Sequence, residues 1–146
     1  AAGLPGYETS NHAIPGAEAR HNLIYWQSGD WLGIGPGAHG RLTMDGVRWA
    51  TETPRTPGGW LAAVEAGAAR IEQRKILTKR EVLEERLMMG LRLRDGIDLG
   101  DDYHLIYNNI NKLRKLGMLE KVDGTLQLTP AGRPLLNAVI RDLLTD

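Results

Sequence analysis

The spacing of hydrophobic positions changes near residue 57. Before this point, short apolar runs are separated by glycine, proline and polar residues, a pattern typical of short strands and loops. After it, apolar residues recur every three or four positions, which predicts amphipathic helices. The sequence therefore predicts an α+β protein with two parts, residues 1–57 and residues 58–146.

The first part is predicted to contain short strands, one helical turn or two, and a hairpin. These elements are a strand at 7–10, helical turns at 18–25, a buried strand at 30–34, and a hairpin of 41–44 and 47–50. Asp45-Gly46 lies between the hairpin strands and is a strong two-residue turn pattern. No periodic helix face is available to cover these strands, so this part is predicted to be a piece of a larger architecture.

The second part is predicted to contain four helices and one further hairpin. The first two helices begin at Pro57 and at the capping box Thr78–Glu81. The third is capped by Asp101 or Asp102 and ends before Gly117, and the fourth opens at Thr129-Pro130. The hairpin, residues 118–128, turns at Asp123-Gly124. The predicted buried positions are Trp60, Leu61, Val64, Ala68, Ile71, Val82, Leu83, Leu87, Met88, Leu91, Leu105, Ile106, Ile110, Leu113, Leu135, Leu136, Val139, Ile140 and Leu143.

Helices followed by a hairpin and a closing helix resemble the order of a winged helix. This order suggests the hypothesis of a stand-alone module that binds DNA or a protein partner. In that hypothesis residues 103–116 form the recognition helix and residues 120–128 the wing. From residue 58 onward the chain carries 14 basic and 13 acidic side chains, so its near neutrality disfavours nucleic acid. Lys112, Arg114 and Lys115 lie where the helix dipole already favours cations.

Composition excludes several kinds of site. The chain has no cysteine, so it cannot form a disulfide or supply thiolate ligands to zinc or an iron–sulfur cluster. The formal net charge is zero, which gives no overall attraction to nucleic acid or an anionic membrane. Neither a membrane span nor a signal peptide is predicted, and a cytoplasmic location is expected.

The glycine-rich segment 33–40, GIGPGAHG, is the main candidate site. Glycines at 35, 37 and 40 fit the spacing of a dinucleotide-binding turn, but Pro36 removes a backbone donor and no amphipathic helix follows. Two interpretations stay open: a backbone that a ligand approaches closely, or a strand end turning beneath a neighbouring element. His39 is the best candidate to face a ligand, with a histidine bonded to the local turn as the alternative.

No other catalytic or metal constellation can be assigned. The histidines are His12, His21, His39 and His104, and no pair has the spacing of a helical metal site. Glu8 and Asp30 have no partner that the sequence identifies. Around His21-Asn22 and Tyr25-Trp26, the sequence is compatible with a capped turn with packed aromatics or with an aromatic wall around a flat organic ligand.

Three ordered motifs carry a family resemblance. They are Tyr7-Glu8-Thr9-Ser10-Asn11, Arg20-His21-Asn22-Leu23 with Tyr25-Trp26, and Gly33-Ile34-Gly35-Pro36-Gly37-Ala38-His39-Gly40. This succession resembles the C-terminal part of the radical S-adenosylmethionine (SAM) family of oxygen-independent coproporphyrinogen III oxidases, most of all its HemW branch of heme-chaperone-like members. Gly117-Met118-Leu119-Glu120 and the stretch from Leu126 to Arg133 are similar to that family's C-terminal domain.

The resemblance implies that residues 1–57 are the last strands of an incomplete (β/α) radical SAM barrel. Residues 58–146 would then be a helical domain over its mouth. It implies SAM as cofactor, with Gly33, Gly35, Gly37, Ala38 and His39 at its binding site. It also implies a [4Fe-4S] cluster, a porphyrinogen or heme as ligand, and any of the four histidines as a heme ligand.

The family's cluster-binding C-x-x-x-C-x-x-C motif has no counterpart in this cysteine-free chain. The resemblance therefore implies a fragment that lacks an N-terminal radical SAM domain and that cannot cleave SAM by itself. The sequence assigns no catalytic residue. An open barrel edge would expose unpaired backbone, so association, including self-association of the fragment, or local rearrangement of residues 1–57 is expected.

Overall fold

A computed structural model describes residues 3–67 and 72–145, and these divide into two compact units. The first, called here the helical unit, comprises residues 1–28 and 83–146; the second, the sheet unit, comprises residues 29–82. Both helix and sheet are present, which confirms the predicted mixed class. The predicted division into 1–57 and 58–146 concerns the parent architecture and stays a prediction.

The sheet unit is built on a three-stranded antiparallel sheet in the order β1-β2-β3. Its strands are β1 (His39–Met44), β2 (Val47–Glu52) and β3 (Gln73–Ile76). The predicted hairpin is confirmed: Asp45 and Gly46 both have positive φ, 51° and 75°, as a two-residue turn of this kind requires. Helix α2 (Pro57–Glu65) follows, with the Thr56 hydroxyl accepting from the N–H of Gly59 at 3.2 Å.

The predicted buried strand at 30–34 is wrong. Only Trp31 pairs, through two backbone hydrogen bonds to Arg41 of 2.8 and 2.9 Å, and Leu32 and Ile34 are 70% and 87% exposed. The chain turns away after this single bridge because Gly33 packs directly on the backbone of His39. The described part of this unit buries Gly40, Thr51 and Thr53 but no apolar side chain.

The helical unit contains the hydrophobic core of the described chain. Its elements are α1 (Arg20–Trp26), most of α3 (Lys79–Gly90), a 3₁₀ helix (Gly100–Ile106), α4 (Tyr107–Lys115), the hairpin of β4 (Leu119–Val122) and β5 (Thr125–Leu128), a short 3₁₀ helix (Arg133–Leu135) and α5 (Leu136–Leu144). The core is formed by Leu83, Leu87, Leu91, Leu99, Ile106, Ile110, Leu113, Leu119, Leu126, Leu128, Leu136, Val139, Ile140 and Leu143. Helical spacing places the core residues of α3, α4 and α5 on inward faces, so most predicted core positions after residue 82 are confirmed.

The helix boundaries confirm some of the local predictions. In the predicted capping box, the N–H of Glu81 donates to the Thr78 hydroxyl at 3.2 Å, and Glu81 accepts from the N–H of Thr78 at 2.9 Å. Gly117, with φ of 72°, ends α4 by donating to the carbonyl of Arg114. The final helix does not open at Thr129-Pro130 as predicted: Thr129 accepts from the N–H of Gly132 at 3.0 Å within a turn, and the short 3₁₀ helix and α5 begin at Arg133 and Leu136.

Other local predictions are wrong. Leu105 is exposed because the chain before α4 is a 3₁₀ helix, whose tighter turn rotates its side chains differently from an α-helix. Neither Asp101 nor Asp102 caps this segment; the carboxylate of Asp98 accepts from the N–H of Gly100 instead. The predicted burial is also wrong at Leu61, Val64, Met88 and Leu135, which are exposed. The positions 68 and 71 lie outside the described residues.

The predicted strand at 7–10 is also wrong. The segment makes only single bridges, Gly6 with His12 and Glu8 with Leu93. It folds back on itself because the N–H of Tyr7 donates to the carbonyl of Asn11 at 3.2 Å. Among the described residues, no helix is long and apolar enough to cross a membrane.

Candidate functional site

The glycine-rich loop, residues 33–40, is anchored at its start by a network around Asp30. The carboxylate of Asp30 accepts from the N–H and the hydroxyl of Thr43 at 2.8 and 2.9 Å and forms an ion pair with Arg48. The backbone hydrogen bond from Thr43 is the main reason that the pKa of Asp30 is lowered, and Arg48 adds to the effect. The guanidinium of Arg48 also donates to the carbonyl of Gly29 at 2.8 Å, which fixes the chain that leads into the loop.

Two guanidinium groups lie near the ring of Trp31 at the entrance of the loop. The guanidinium carbons of Arg41 and Arg48 lie 5.9 and 5.7 Å from the centroid of its ring, within cation–π range. The backbone of Trp31 pairs with Arg41 at the same place. The entrance is therefore held by backbone, ionic and cation–π contacts together.

The interior of the loop is organised by Thr53, which sequence reasoning missed. Its hydroxyl accepts from the N–H of Ala38 at 2.9 Å and donates to the carbonyl of Gly35 at 2.5 Å. Its own N–H donates to the carbonyl of Ala38 at 3.0 Å, and the N–H of Gly37 donates to the carbonyl of Pro54 at 2.8 Å. Thr53 is only 8% exposed, so these bonds are shielded from water. No local pattern distinguishes this threonine in the sequence.

The glycines of the loop have different roles. A Cβ at Gly33 would lie 2.5 Å from the carbonyl oxygen of His39, so its missing side chain permits close packing of the chain on itself. Gly35 and Gly37 have φ of 99° and 65°, which L side chains rarely adopt, and open space surrounds the position of a Cβ at Gly35. A ligand can therefore approach Gly35 from outside, whereas His39 already fills the space beside Gly33.

The chemistry that this loop offers a ligand follows from which groups are already bonded. The N–H of Gly37 donates to the carbonyl of Pro54 and that of Ala38 to the hydroxyl of Thr53, so a phosphate cradle of free N–H groups is not formed at these two positions. The side chains of Leu32, Ile34 and His39 are exposed. The loop thus presents apolar side chains, an imidazole and the open backbone of Gly35.

His39 stands at the end of the loop beside an ion pair. It faces Glu52 across the β1–β2 ladder, and Glu52 accepts from the Nε–H of Arg55 at 2.8 Å. The hydrogen bond from Arg55 is the main cause that lowers the pKa of Glu52, with further contributions from the charges of Arg55 and His39. Glu52 in turn raises the pKa of Arg55. The exposed end of the loop therefore carries an imidazole next to a carboxylate that stays ionised.

The other two motifs meet in the helical unit. The amide Nδ2 of Asn22 donates to the hydroxyl of Tyr7 at 3.4 Å, and the ring of His21 contacts that of Tyr25 edge to face at 4.7 Å. The guanidinium of Arg92 lies 5.6 Å from the ring centroid of Trp26. The hydrogen bond between Asn22 and Tyr7 therefore joins the first two motifs, and the aromatic contacts lie within the second motif or between it and Arg92.

Glu8, which had no partner in the sequence, is buried and hydrogen-bonded. Its carboxylate accepts from the N–H and the hydroxyl of Ser10, each at 3.1 Å, and from the amide of Asn11. The spacing of the first motif is explained by these local bonds, since the side chains at positions 8, 10 and 11 satisfy one another. Glu8 is thereby held as an acceptor inside the fold.

A cavity of about 410 Å³ lies next to these motifs in the helical unit. Its lining includes Tyr7, Leu23 and Trp26 from the motif segments and Arg86 and Ile97 from the helical segments. Arg86 is bonded to Asp102 at 2.6 Å. The indole N–H of Trp26 is buried and has no hydrogen-bond partner among the described residues.

The four histidines do not gather into a metal centre. His12, His21, His39 and His104 are all exposed, and Nδ1 of His104 is hydrogen-bonded to the carbonyl of Asp101. Within residues 3–67 and 72–145, no three histidine or acidic side chains are arranged to hold a metal ion. The loop and the other two motifs belong to different compact units of this chain.

Comparison with known proteins adds the evolutionary context. Residues 77–135 match the model of the HemN C-terminal domain. The chain is 38% identical over 144 residues to the heme chaperone HemW of Mycobacterium tuberculosis, covering 99% of this chain and 36% of that protein. It is 43% identical over 100 residues to the mitochondrial radical S-adenosyl methionine domain-containing protein 1 of Bos taurus, covering 66% of this chain and 23% of that protein. The chain thus spans 36% and 23% of the length of these two curated relatives.

The fold is shared with a solved structure. The Escherichia coli coproporphyrinogen III oxidase HemN, described as a radical SAM enzyme, superposes with a TM-score of 0.65 at 15% identity, over 98% of this chain and 37% of that one. At this identity the match shows the fold alone. Together with the family model and the HemW relatives, it confirms the resemblance drawn from the three motifs: this is a HemN/HemW-like C-terminal region, with the HemN C-terminal domain at residues 77–135.

Proposed function

We propose that this chain is the C-terminal portion of a radical SAM protein of heme or porphyrin metabolism. In this proposal the glycine-rich loop forms part of the wall of the SAM site, with Gly33, Gly35, Gly37, Ala38 and His39 beside the cofactor. Residues 1–57 complete a partial (β/α) barrel, and residues 58–146 form a winged-helix-like lid. The observation that carries the proposal is the loop itself, whose backbone is fixed by buried Thr53 and open at Gly35.

The sheet unit supports the need for a further domain. Apolar side chains are exposed on it, and its described part buries none. Isolated domains rarely leave so much apolar surface without a partner. An N-terminal radical SAM domain, or another copy of this chain, would cover that surface. The exposed apolar residues are Leu32, Ile34, Met44, Val47, Leu61, Val64 and Ile76.

The division of chemistry follows from the residues present. SAM and a [4Fe-4S] cluster together would supply the radical-generating reductive cleavage in the parent protein. Since this chain has no cysteine, the cluster ligands would come from the N-terminal domain, and the chain alone would be inactive. Its own residues would position and enclose the cofactor: Thr53 holds the loop shape, and Ile34 and Leu32 supply apolar cover that excludes water.

Whether the parent protein oxidises a porphyrinogen or delivers heme depends on which of these two ligands it binds in addition to SAM. The histidines are exposed and thus accessible to heme iron, and His21 is additionally oriented by Tyr25. Replacing each of the four histidines in turn by alanine and recording the heme absorbance spectrum tests this part of the proposal. Loss of the heme spectrum in one variant would identify an axial ligand, and four unchanged spectra would exclude all of them.

Two glycines, both with positive φ, test the proposal that the loop forms part of the wall of the SAM site. Gly35 and Gly46 lie in the sheet unit, have φ of 99° and 75°, and have open space where a Cβ would be. In the full-length protein with a reconstituted cluster, we expect Gly35→Ala to weaken SAM binding by about tenfold or more, as measured by calorimetry. Gly46→Ala carries the same kind of strain in the hairpin and should leave the affinity unchanged.

Equal SAM affinities in the two variants would refute the role of the loop. The reading frame upstream of Ala1 tests the wider proposal, since a C-x-x-x-C-x-x-C motif is required there. Its absence would refute the radical SAM assignment independently of the loop.

A DNA-binding winged helix is the alternative, and the order of α3, α4, β4, β5 and α5 favours considering it. The Nζ of Lys112 lies 3.9 Å from a carboxylate oxygen of Asp142, and the Nζ of Lys121 lies over the ring of Tyr103. The positive charges of these two lysines, on the recognition helix and the wing of this alternative, therefore already have partners. Salt-dependent duplex binding that Arg114→Gln weakens would support this alternative. Absence of duplex binding at low salt would remove it.

A further inference from the structure

The chain contains three Asp-Gly pairs, at residues 45–46, 95–96 and 123–124. An aspartate before glycine is open to a particular backbone modification, because glycine has no side chain to hinder attack by its own nitrogen. That nitrogen attacks Cγ of the aspartate, a carboxyl oxygen leaves as water, and a five-membered succinimide ring closes. Water then opens the ring, either at Cγ, which restores aspartate, or at the main-chain carbonyl carbon, which gives isoaspartate. The surroundings of the three pairs decide which of them can react.

The pair Asp95-Gly96 is locked against its neighbours. The N–H of Gly96 donates to the carbonyl of Leu93 at 3.3 Å, and the next residue, Ile97, is joined to Leu126 by two backbone hydrogen bonds. A Cβ at Gly96 would lie 2.2 Å from the carbonyl oxygen of Leu126. Ring closure needs a free glycine nitrogen, and isoaspartate needs room for one extra carbon in the main chain. Neither condition is met here, although Asp95 is exposed.

The other two pairs form the turns of the two hairpins and have the same local conformation. Asp45 and Gly46 have φ of 51° and 75°, and Asp123 and Gly124 have φ of 48° and 91°. All four residues are exposed, and open space surrounds the position of a Cβ at both glycines. Within residues 3–67 and 72–145, neither glycine N–H has a hydrogen-bond partner. Any difference in reactivity between these pairs therefore depends on how firmly each hairpin is held.

The hairpin of β4 and β5 is the more firmly held. Three of its leucines lie in the core, at most 3% exposed, and the Thr125 hydroxyl donates to the carbonyl of Val122 at 2.7 Å across the turn. These leucines are Leu119, Leu126 and Leu128. In the hairpin of β1 and β2, Met44 and Val47 flank the turn with 36% and 37% exposure, and Val47 has no hydroxyl to close it. The glycine nitrogen reaches Cγ only after the turn opens, and opening is easiest where few buried contacts hold the backbone.

We propose that Asp45-Gly46 is a site of isoaspartate formation in the folded chain, that Asp123-Gly124 reacts more slowly, and that Asp95-Gly96 is protected. The product has one extra main-chain carbon and a free α-carboxylate at the exposed turn. Since a two-residue turn fits only a main chain of normal length, the modification loosens the Met44–Val47 end of the β1–β2 ladder. An enzyme that methylates isoaspartyl carboxylates is the class of partner that fits this product. The proposal does not depend on the proposed SAM wall.

The test incubates the folded 146-residue chain at neutral pH in water enriched with heavy oxygen. Each ring opening places one solvent oxygen in the reacting residue. Trypsin cleaves after Lys and Arg, except before Pro, so the three pairs fall in separate peptides, 42–48, 95–112 and 122–141. Fragment mass spectra then assign the label to each aspartate. We expect labelling of Asp45 to exceed that of Asp123 about fivefold or more, and Asp95 to stay unlabelled. Methylation by an isoaspartate-specific methyltransferase should be strongest in peptide 42–48.

Incubation in concentrated urea removes the fold, and there the three aspartates should be labelled at similar rates. Asp45→Glu is the matched control, because it keeps the charge but its longer side chain cannot close a five-membered ring. It should abolish labelling of peptide 42–48 and leave that of Asp123 unchanged. The proposal is overturned if Asp45 stays unlabelled in the folded chain, if Asp95 or Asp123 is labelled as fast, or if Asp45→Glu retains the label. The same ranking in urea and in the folded chain would also overturn it, since local sequence and not the fold would then decide.

Discussion

Replacing Thr53 with valine is a direct test of how the glycine-rich loop is held. Valine keeps nearly the same shape but removes the hydroxyl that accepts from the N–H of Ala38 at 2.9 Å and donates to the carbonyl of Gly35 at 2.5 Å. Because Thr53 is 8% exposed, water cannot easily replace these bonds. A buried polar group left unpaired costs about 1–3 kcal/mol.

The expected net loss is therefore about 2 kcal/mol, after the added methyl group regains part of the cost. For an amide that exchanges through local opening, this corresponds to a protection factor roughly 30-fold lower at Ala38. Hydrogen exchange measured by NMR gives this factor directly. The N–H of Trp31, bonded to the carbonyl of Arg41 at 2.8 Å, is the internal reference. Its exchange rate should differ much less between the valine variant and the native chain than that of Ala38.

Thr53→Ser is the matched control, since serine keeps the hydroxyl and loses only the methyl group. We expect Ala38 to remain protected in this variant. Equal protection of Ala38 in the valine and native chains would refute the role of the hydroxyl. If serine reduced the protection as much as valine, the methyl group would be the important part of Thr53, and the reasoning from hydrogen bonds would be wrong.

Two further predictions concern the stability of the helical unit and the start of α3. Leu87→Ala should lower the free energy of unfolding by about 3 kcal/mol, because Leu87 is fully buried in the core. Met88→Ala, at an exposed neighbouring position, should cost under about 1 kcal/mol in the same urea titration; similar losses would contradict the assigned core. Glu81 has its pKa lowered from 4.5 to about 2, first by the hydrogen bond from Lys75 and then by Thr78. Its contribution to stability is therefore present above pH 4.5 and lost as the pH falls toward 2. Glu81→Gln should make the decline of stability between pH 5 and pH 2 less steep, and an unchanged slope would show that this carboxylate is not responsible.

The motifs and local patterns of this chain were strong enough to predict many of its features. The capping box at Thr78–Glu81 and the Asp-Gly turns of both hairpins were predicted correctly because each depends on residues close together in the sequence. The helical spacing after residue 82 identified most of the core for the same reason. The succession of three motifs also indicated the family, which the comparisons confirm.

The candidate site was predicted only in part. The sequence indicated the loop 33–40, but it assigned a buried strand to 30–34, where Leu32 and Ile34 are exposed. Apolar composition alone cannot tell whether a covering surface is present, and the sheet unit supplies none among its described residues. The proposed SAM contacts stay a prediction, and a ligand could use Gly35 more readily than Gly33, which packs on His39.

Local sequence thus determined the hairpin turns, the starts of α2 and α3 and most core positions of the helical unit, since these follow from spacing and from side chains that bond to nearby backbone. Only the tertiary structure decided which distant groups meet. It placed the Thr53 hydroxyl inside the loop, 15 and 18 residues from its partners, and it brought Arg133 to the carbonyl of Arg94, 39 residues away. Such contacts depend on how strands and helices pack, and no pattern along the chain specifies that packing.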